Sequence, residues 1–114
     1  MLSYLRCSAG GNEGWGNLFR LLIIREYLLK QLKSKVILII NANKKIKNFL
    51  IKRKIIFLNL NKKNLEFEKK IVDKLNKSDL TIIEMLNPSL RLQNIYKRKS
   101  NKVVVLDDIL ENKY

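Results

Sequence analysis

All four glycines of the chain, Gly10, Gly11, Gly14 and Gly16, fall inside the stretch RCSAGGNEGWGNLFR, Arg6 to Arg20. Glycine tolerates positive φ and lets a ligand touch the main chain. Placed between a strand and a helix, such a run offers N–H groups to phosphate or sugar oxygens, aided by the partial positive charge of the helix start. A tight strand-to-helix turn that binds nothing is the alternative, although four glycines exceed what such a turn requires. The spacing is GxxGxG, and no Gly-Lys-Ser/Thr follows. Neither a dinucleotide fingerprint nor a P-loop is supported, and no cofactor is implied. Trp15, the only tryptophan, lies within the loop, where it either stacks on a sugar or base or covers the sheet edge.

Carboxylates are the other candidates. Glu84, Asp107 and Asp108 fall near the ends of two apolar runs, and Asp107 or Asp108 could equally cap a turn. With no histidine and one cysteine, the chain offers no metal site, and Cys7 has no imidazole partner; a buried strand position suits it better.

These groups meet only if the elements around them form the right sheet. Apolar runs at Leu2–Cys7, Val36–Ile40, Ile55–Leu60, Leu80–Leu86 and Val103–Asp108 read as five strands. Between them, helical spacing spans Asn17–Lys33, an Asn43-capped helix to Arg53, about Leu65–Asn76, and a helix opened by Asn87 and Pro88 that runs to about Lys99. On the first of these, Leu18, Leu21, Leu22, Tyr27, Leu28, Leu29 and Leu32 make a broad apolar face. Alternation of this kind predicts an α/β fold: a single Rossmann-like domain over residues 1–114, a five-stranded parallel sheet in the order 3-2-1-4-5, and helices on both faces. Ligands of such sheets gather beyond the carboxyl ends of the strands, at the point next to strand one where strand order reverses. The glycine loop sits there, with Glu84 and Asp107 across from it.

The net charge of +14 has three readings. Eighteen of the 24 basic residues are lysine, as the residue bias of an AT-rich genome would produce without selection for a ligand. From Tyr27 to Leu65, however, eleven Lys or Arg occur with no acidic residue, a block able to hold nucleic-acid phosphates or the anionic headgroups of a membrane surface. Phe49 and Phe57 are better explained as core than as a stacking platform, which argues against nucleic acid. No apolar run approaches the length of a membrane span, since Arg20 and Arg25 interrupt the longest one, and the N-terminus has no signal-peptide pattern. A cytoplasmic location is expected.

The pattern Arg6-Cys7-x-Ala9-Gly10-Gly11, then Gly14-x-Gly16, then Arg20 in a long helix, with VVVLDDI at Val103 to Ile109, resembles the N-terminal domain of the UDP-sugar hydrolase of pseudaminic acid biosynthesis. That family belongs with spore-coat polysaccharide biosynthesis proteins of the glycosyltransferase B fold. The resemblance implies a nucleotide-sugar enzyme, hydrolase or glycosyltransferase-like, of bacterial surface polysaccharide or nonulosonic acid biosynthesis. It also implies a UDP-sugar substrate held in a cleft between this domain and a C-terminal partner domain. By resemblance Gly14, Gly16 and Arg20 are binding positions, with Arg6 and Asp107 supporting the rim. The family's loop reads Arg-x-Asp and Gly-x-Gly-His, its histidine being implicated in activating water; Ser8 and Asn17 stand at those places here. Asn17 cannot accept a proton near pH 7, which leaves Glu13 or Asp107 as a carboxylate base and gives Asn17 an alternative role as helix N-cap.

Overall fold

The computed structural model describes residues 1–8, 15–85 and 88–106. The first strand, β1 (Leu2–Ser8), shows how the sheet divides its side chains. Tyr4 belongs to one apolar cluster and Leu5 and Cys7 to the other, as the two-residue repeat of a strand requires. Cys7 is fully buried.

Four further strands follow: β2 (Lys35–Asn41), β3 (Phe57–Asn59), β4 (Ser78–Glu84) and β5 (Ser100–Leu106). All pair in parallel, in the order β3-β2-β1-β4-β5, so the reading of the sequence holds in fold class and strand order. The helices are α1 (Gly16–Gln31), α2 (Lys44–Lys52), α3 (Leu65–Asp73) and α4 (Leu90–Lys97). One face of the sheet, through Leu5, Cys7, Leu38 and Ile40, packs on Leu18 and Leu21 of α1 and Ile46 and Leu50 of α2. The opposite face, through Tyr4, Ile39 and Ile83, packs on Val72 of α3 and on Leu92, Ile95 and Tyr96 of α4. Neither helical layer hides its apolar stripe without the sheet between them. Among the described residues, no helix is long and apolar enough to cross a membrane.

Several boundaries differ from expectation for local reasons. The fourth strand begins at Ser78, two residues before the apolar run, because Ser78 pairs with Ser100 and the hydroxyls of Ser78, Thr81 and Ser100 bond one another in a buried cluster. The fourth helix starts after Ser89, whose hydroxyl accepts the Leu92 N–H; Asn87, expected as its cap, lies outside the described residues. Asn43 caps α2 as expected, and Asn64 caps α3 by accepting from Glu66 and Phe67. Of the face expected on the first helix, Leu18, Leu21 and Leu28 are buried, whereas Tyr27 and Leu32 are exposed.

Helices α1 and α2 end on residues of positive φ, and both are lysines: Lys33 at 52° and Lys54 at 56°. At α2 the Ile55 N–H reaches the Leu50 carbonyl and the Lys54 N–H reaches that of Ile51, the paired bonds of a Schellman end, whereas at α1 the Ser34 N–H reaches one residue further back, to the Leu28 carbonyl. These are positions where glycine is ordinarily preferred. The chain places lysine at both while gathering every glycine between the end of β1 and the first residue of α1. Turn geometry elsewhere thus did not set the glycine distribution.

Candidate functional site at the carboxyl ends of the strands

Register brings the ends of the three central strands level. Ser8 pairs with Asn41, and Cys7 pairs with Glu84. At this rim, on the α3/α4 side of the sheet, a cavity of about 310 Å³ opens. Arg6, Glu68, Ser8 and Asn41 contribute polar groups; Leu65, Met85, Pro88 and Leu92 supply apolar walls; Lys63, Asn64 and Ser89 stand at the starts of α3 and α4. Two capped helix N-termini therefore border one opening, each with its partial positive end toward it.

Arg6 is an arginine inside an apolar strand, 2% exposed, and its charge requires a partner. Glu68, carried on the inward stripe of α3, provides it. Arg6 Nε donates to Glu68 Oε2 at 2.8 Å and Nη2 donates to Oε1 at 3.2 Å. The same Nη2 donates to Asn41 Oδ1, Nη1 donates to the Cys7 carbonyl, and the Tyr96 hydroxyl donates to Glu68 Oε2. Asn41 in turn donates to the Leu60 carbonyl, which ties β2 into the network. Burial disfavours the charge on Arg6, but the bond to Glu68 and the nearby Tyr96 and Glu68 more than offset it, so its pKa stands above the ordinary value. Burial lifts the Tyr96 phenol well above its usual value, opposed by Arg6 and reinforced by Glu68. The result is a fixed polar floor, oriented before any ligand arrives.

The other expected residues that the structure describes, Trp15, Gly16, Asn17, Arg20 and Glu84, belong to α1 and to the α1 side of the sheet. Arg20, in the second turn of α1, places Nη2 2.9 Å from Oε1 of the fully buried Glu84. The same nitrogen donates to Asn17 Oδ1 at 3.1 Å. Asn17 is not the N-cap: α1 begins at Gly16, Trp15 flanks it without a side-chain cap, and Asn17 is buried within the first turn. Its carbonyl oxygen faces a cation instead of a free backbone N–H. Trp15 stacks on Phe19, with ring centroids 5.7 Å apart, and meets Phe49 edge-on at 5.2 Å. Its described contacts are thus to α1 and α2. Gly16 is exposed at the start of α1, and among the described residues a Cβ there would meet no atom within 4 Å beyond its chain neighbours and its own helix backbone. Gly10, Gly11, Gly14 and Asp107, with Glu13 and Asp108, lie outside the described residues.

The structure thus joins Arg6 to a cavity and joins Asn17 to Arg20 and Glu84, on opposite faces of one rim. Glu68, Asn41, Lys63, Asn64, Ser89 and Tyr96 were not singled out from sequence. The available signal was Glu68, a carboxylate at helical spacing between Leu65 and Val72 on an inward stripe, matched to a cation within an apolar strand.

No protein-family model matches the chain, and no curated protein or solved structure matches it.

Proposed function

We propose that this domain holds the sugar and phosphate portion of a UDP-sugar, as the N-terminal domain of a hydrolase or glycosyltransferase-like enzyme of bacterial surface polysaccharide or nonulosonic acid biosynthesis. The supporting observation is the 310 Å³ cavity at the carboxyl rim, floored by the Arg6–Glu68 pair. Hydroxyls of a sugar need donors and acceptors in fixed directions, together with a flat apolar wall for the ring. Ser8, Asn41, Asn64 and Ser89 supply the first, and Leu65, Met85 and Leu92 the second. Lys63 and the starts of α3 and α4 favour the phosphate.

The reading is of binding, not of a complete catalyst. Asn17, at the position where the resembled family carries histidine, accepts a hydrogen bond from Arg20 and has no group that takes a proton near pH 7. Arg20 itself is shared with Glu84, so in this reading it positions the rim and contributes positive charge that Glu84 largely balances.

The test is a titration of UDP-N-acetylglucosamine into isotopically labelled protein, followed by amide chemical shifts. Shifts at Ser8, Asn41, Asn64 and Ser89 that saturate, and that vanish when Met85→Trp fills the cavity, support the reading. An unchanged spectrum at millimolar ligand, or shifts unaffected by Met85→Trp, would overturn it.

A further inference from the structure

On the sheet face opposite the cavity, α1 leaves large apolar side chains in water. Phe19, Ile23 and Tyr27, four residues apart along one stripe, are 48%, 72% and 58% exposed. Between this stripe and α2 lies a shallow groove of about 460 Å³, lined by Phe19, Leu22, Ile23, Phe49 and Ile55, with Arg25, Glu26 and Arg53 at its edge. Apolar surface concentrated on one face of a helix pair is a signature of an interaction site.

The charge around it narrows the occupant. Helix α2 carries Lys44, Lys45, Lys47 and Lys52 and no acid, and Arg53 follows it with its guanidinium 4.4 Å from the Phe49 ring centre. Of the acid-free block from Tyr27 to Leu65, the end of α1 and the whole of α2 belong to this side of the sheet, while Lys63 borders the cavity on the other. A second copy of this chain, itself at +14, is repelled by that surface. Arg25 adds a specific hint: Nη1 bonds Glu26, but its buried Nε has no hydrogen-bond partner among the described residues. An oxygen of a phosphodiester reaching into the groove would satisfy it.

We propose that the α1/α2 face docks on an anionic phospholipid surface, with Phe19, Ile23 and Tyr27 entering the interface, Arg25 and Arg53 taking headgroup phosphates, and the lysines of α2 supplying long-range attraction. Dispersed lysines without acids suit a delocalised sheet of charge better than one shaped partner, and protruding apolar side chains distinguish insertion from mere attraction. The cavity at the carboxyl rim lies on the other face of the sheet and takes no part in this contact, so the inference goes beyond the sugar-binding reading and is read out without any sugar ligand.

The experiment is co-sedimentation with vesicles of pure phosphatidylcholine, and of phosphatidylcholine containing phosphatidylglycerol at about a third of the lipid. Trp15 emission is followed in parallel, because its ring stacks on Phe19. Binding to the anionic vesicles alone is expected, with a blue shift of Trp15. The double variant Ile23→Ser/Tyr27→Ser, at exposed positions that leave the core intact, is expected to weaken binding at least about tenfold at unchanged net charge. Arg53→Glu should weaken it far more than Lys97→Glu, an equal charge change on the exposed side of α4 across the sheet. Absence of binding overturns the proposal, as does binding indifferent to the apolar pair or equally sensitive to Lys97→Glu, since either reports net charge alone. A Trp15 shift reproduced by inorganic phosphate without vesicles also overturns it. So does displacement from vesicles by polyglutamate that itself depends on Ile23 and Tyr27, which would assign the face to an acidic protein.

Discussion

Arg6 and Tyr96, on a strand and a helix of opposite halves of the chain, donate to one and the same atom, Glu68 Oε2, at 2.8 and 2.5 Å. The carboxylate is thereby locked between β1, α3 and α4 under the floor of the cavity. Removing it alone strands a buried guanidinium: Glu68→Ala is expected to destabilise the fold by about 3–5 kcal/mol. Replacing both partners together, Arg6→Met with Glu68→Leu, should cost markedly less than Glu68→Ala alone, because no charge is then left without a partner. Urea denaturation of the three proteins checks this. Equal losses for the single and double variants would show that the pair is not the source of the effect.

The Tyr96 phenol gives the network a pH signature. Its pKa in the fold is raised by burial, so the folded state keeps the proton after the unfolded chain has released it. The stability this contributes is complete below the ordinary tyrosine value of about 10 and is lost as pH rises toward the folded value, with a slope of about 1.4 kcal/mol per pH unit for one proton. Tyr96→Phe is expected to remove one such slope from the alkaline limb, leaving that of Tyr4, whose phenol burial also raises. Denaturant midpoints measured from pH 8 upward, below and above that value of about 10, report it; identical alkaline limbs for the variant and the parent would refute the assignment.

Arg20 bridges α1 to the buried carboxylate of Glu84 while its own side chain remains 44% exposed. Solvent screening weakens its side of the pair, so Arg20→Ala should destabilise by about 1–2 kcal/mol, well below the Glu68 effect. Arg20→Lys should recover only part of this, since an ammonium on a flexible stem does not reproduce a guanidinium that reaches Asn17 and Glu84 with one nitrogen. Thermal unfolding of the two variants measures the difference.

The parts of the fold set by repeating patterns were legible in the residues. Strand order followed from alternation of apolar runs with helical spacing, and the two helical layers followed from parallel crossovers. What escaped was governed by single polar contacts between distant segments. Ser89 displaced the expected cap of α4 because its hydroxyl, at the right distance before Leu92, fixes the first turn. Asn17 moved from cap to first turn because Gly16 already adopts helical geometry. The cavity was invisible for the same reason: its floor pairs Arg6 with Glu68 across some sixty residues, a match that composition and spacing suggest only after the sheet has placed β1 beneath α3. The exposed stripe of α1 was misjudged because Tyr27 fits the helical repeat of a buried face, while the width of the sheet beneath covers only Leu18, Leu21 and Leu28 fully.

Lysines at the ends of α1 and α2 carry strain that glycine would relieve. Lys54→Gly, at φ 56° in a Schellman end closed by Ile55 N–H to the Leu50 carbonyl, is expected to stabilise by about 1 kcal/mol. Gly16→Ala at the start of α1 should also stabilise, by up to about 1 kcal/mol, since its backbone is helical and an added methyl is clear of every other described element. The two substitutions then part company in function. If a sugar or phosphate approaches the main chain at the start of α1, Gly16→Ala fills the space that the ligand needs, and affinity for UDP-N-acetylglucosamine falls although the fold has gained stability. Lys54→Gly, away from the carboxyl rim, should leave affinity unchanged. Parallel denaturation and titration of both variants separate the two effects. A Gly16→Ala protein that is stabilised and binds as well as its parent would show that the bare backbone at this position serves the turn alone.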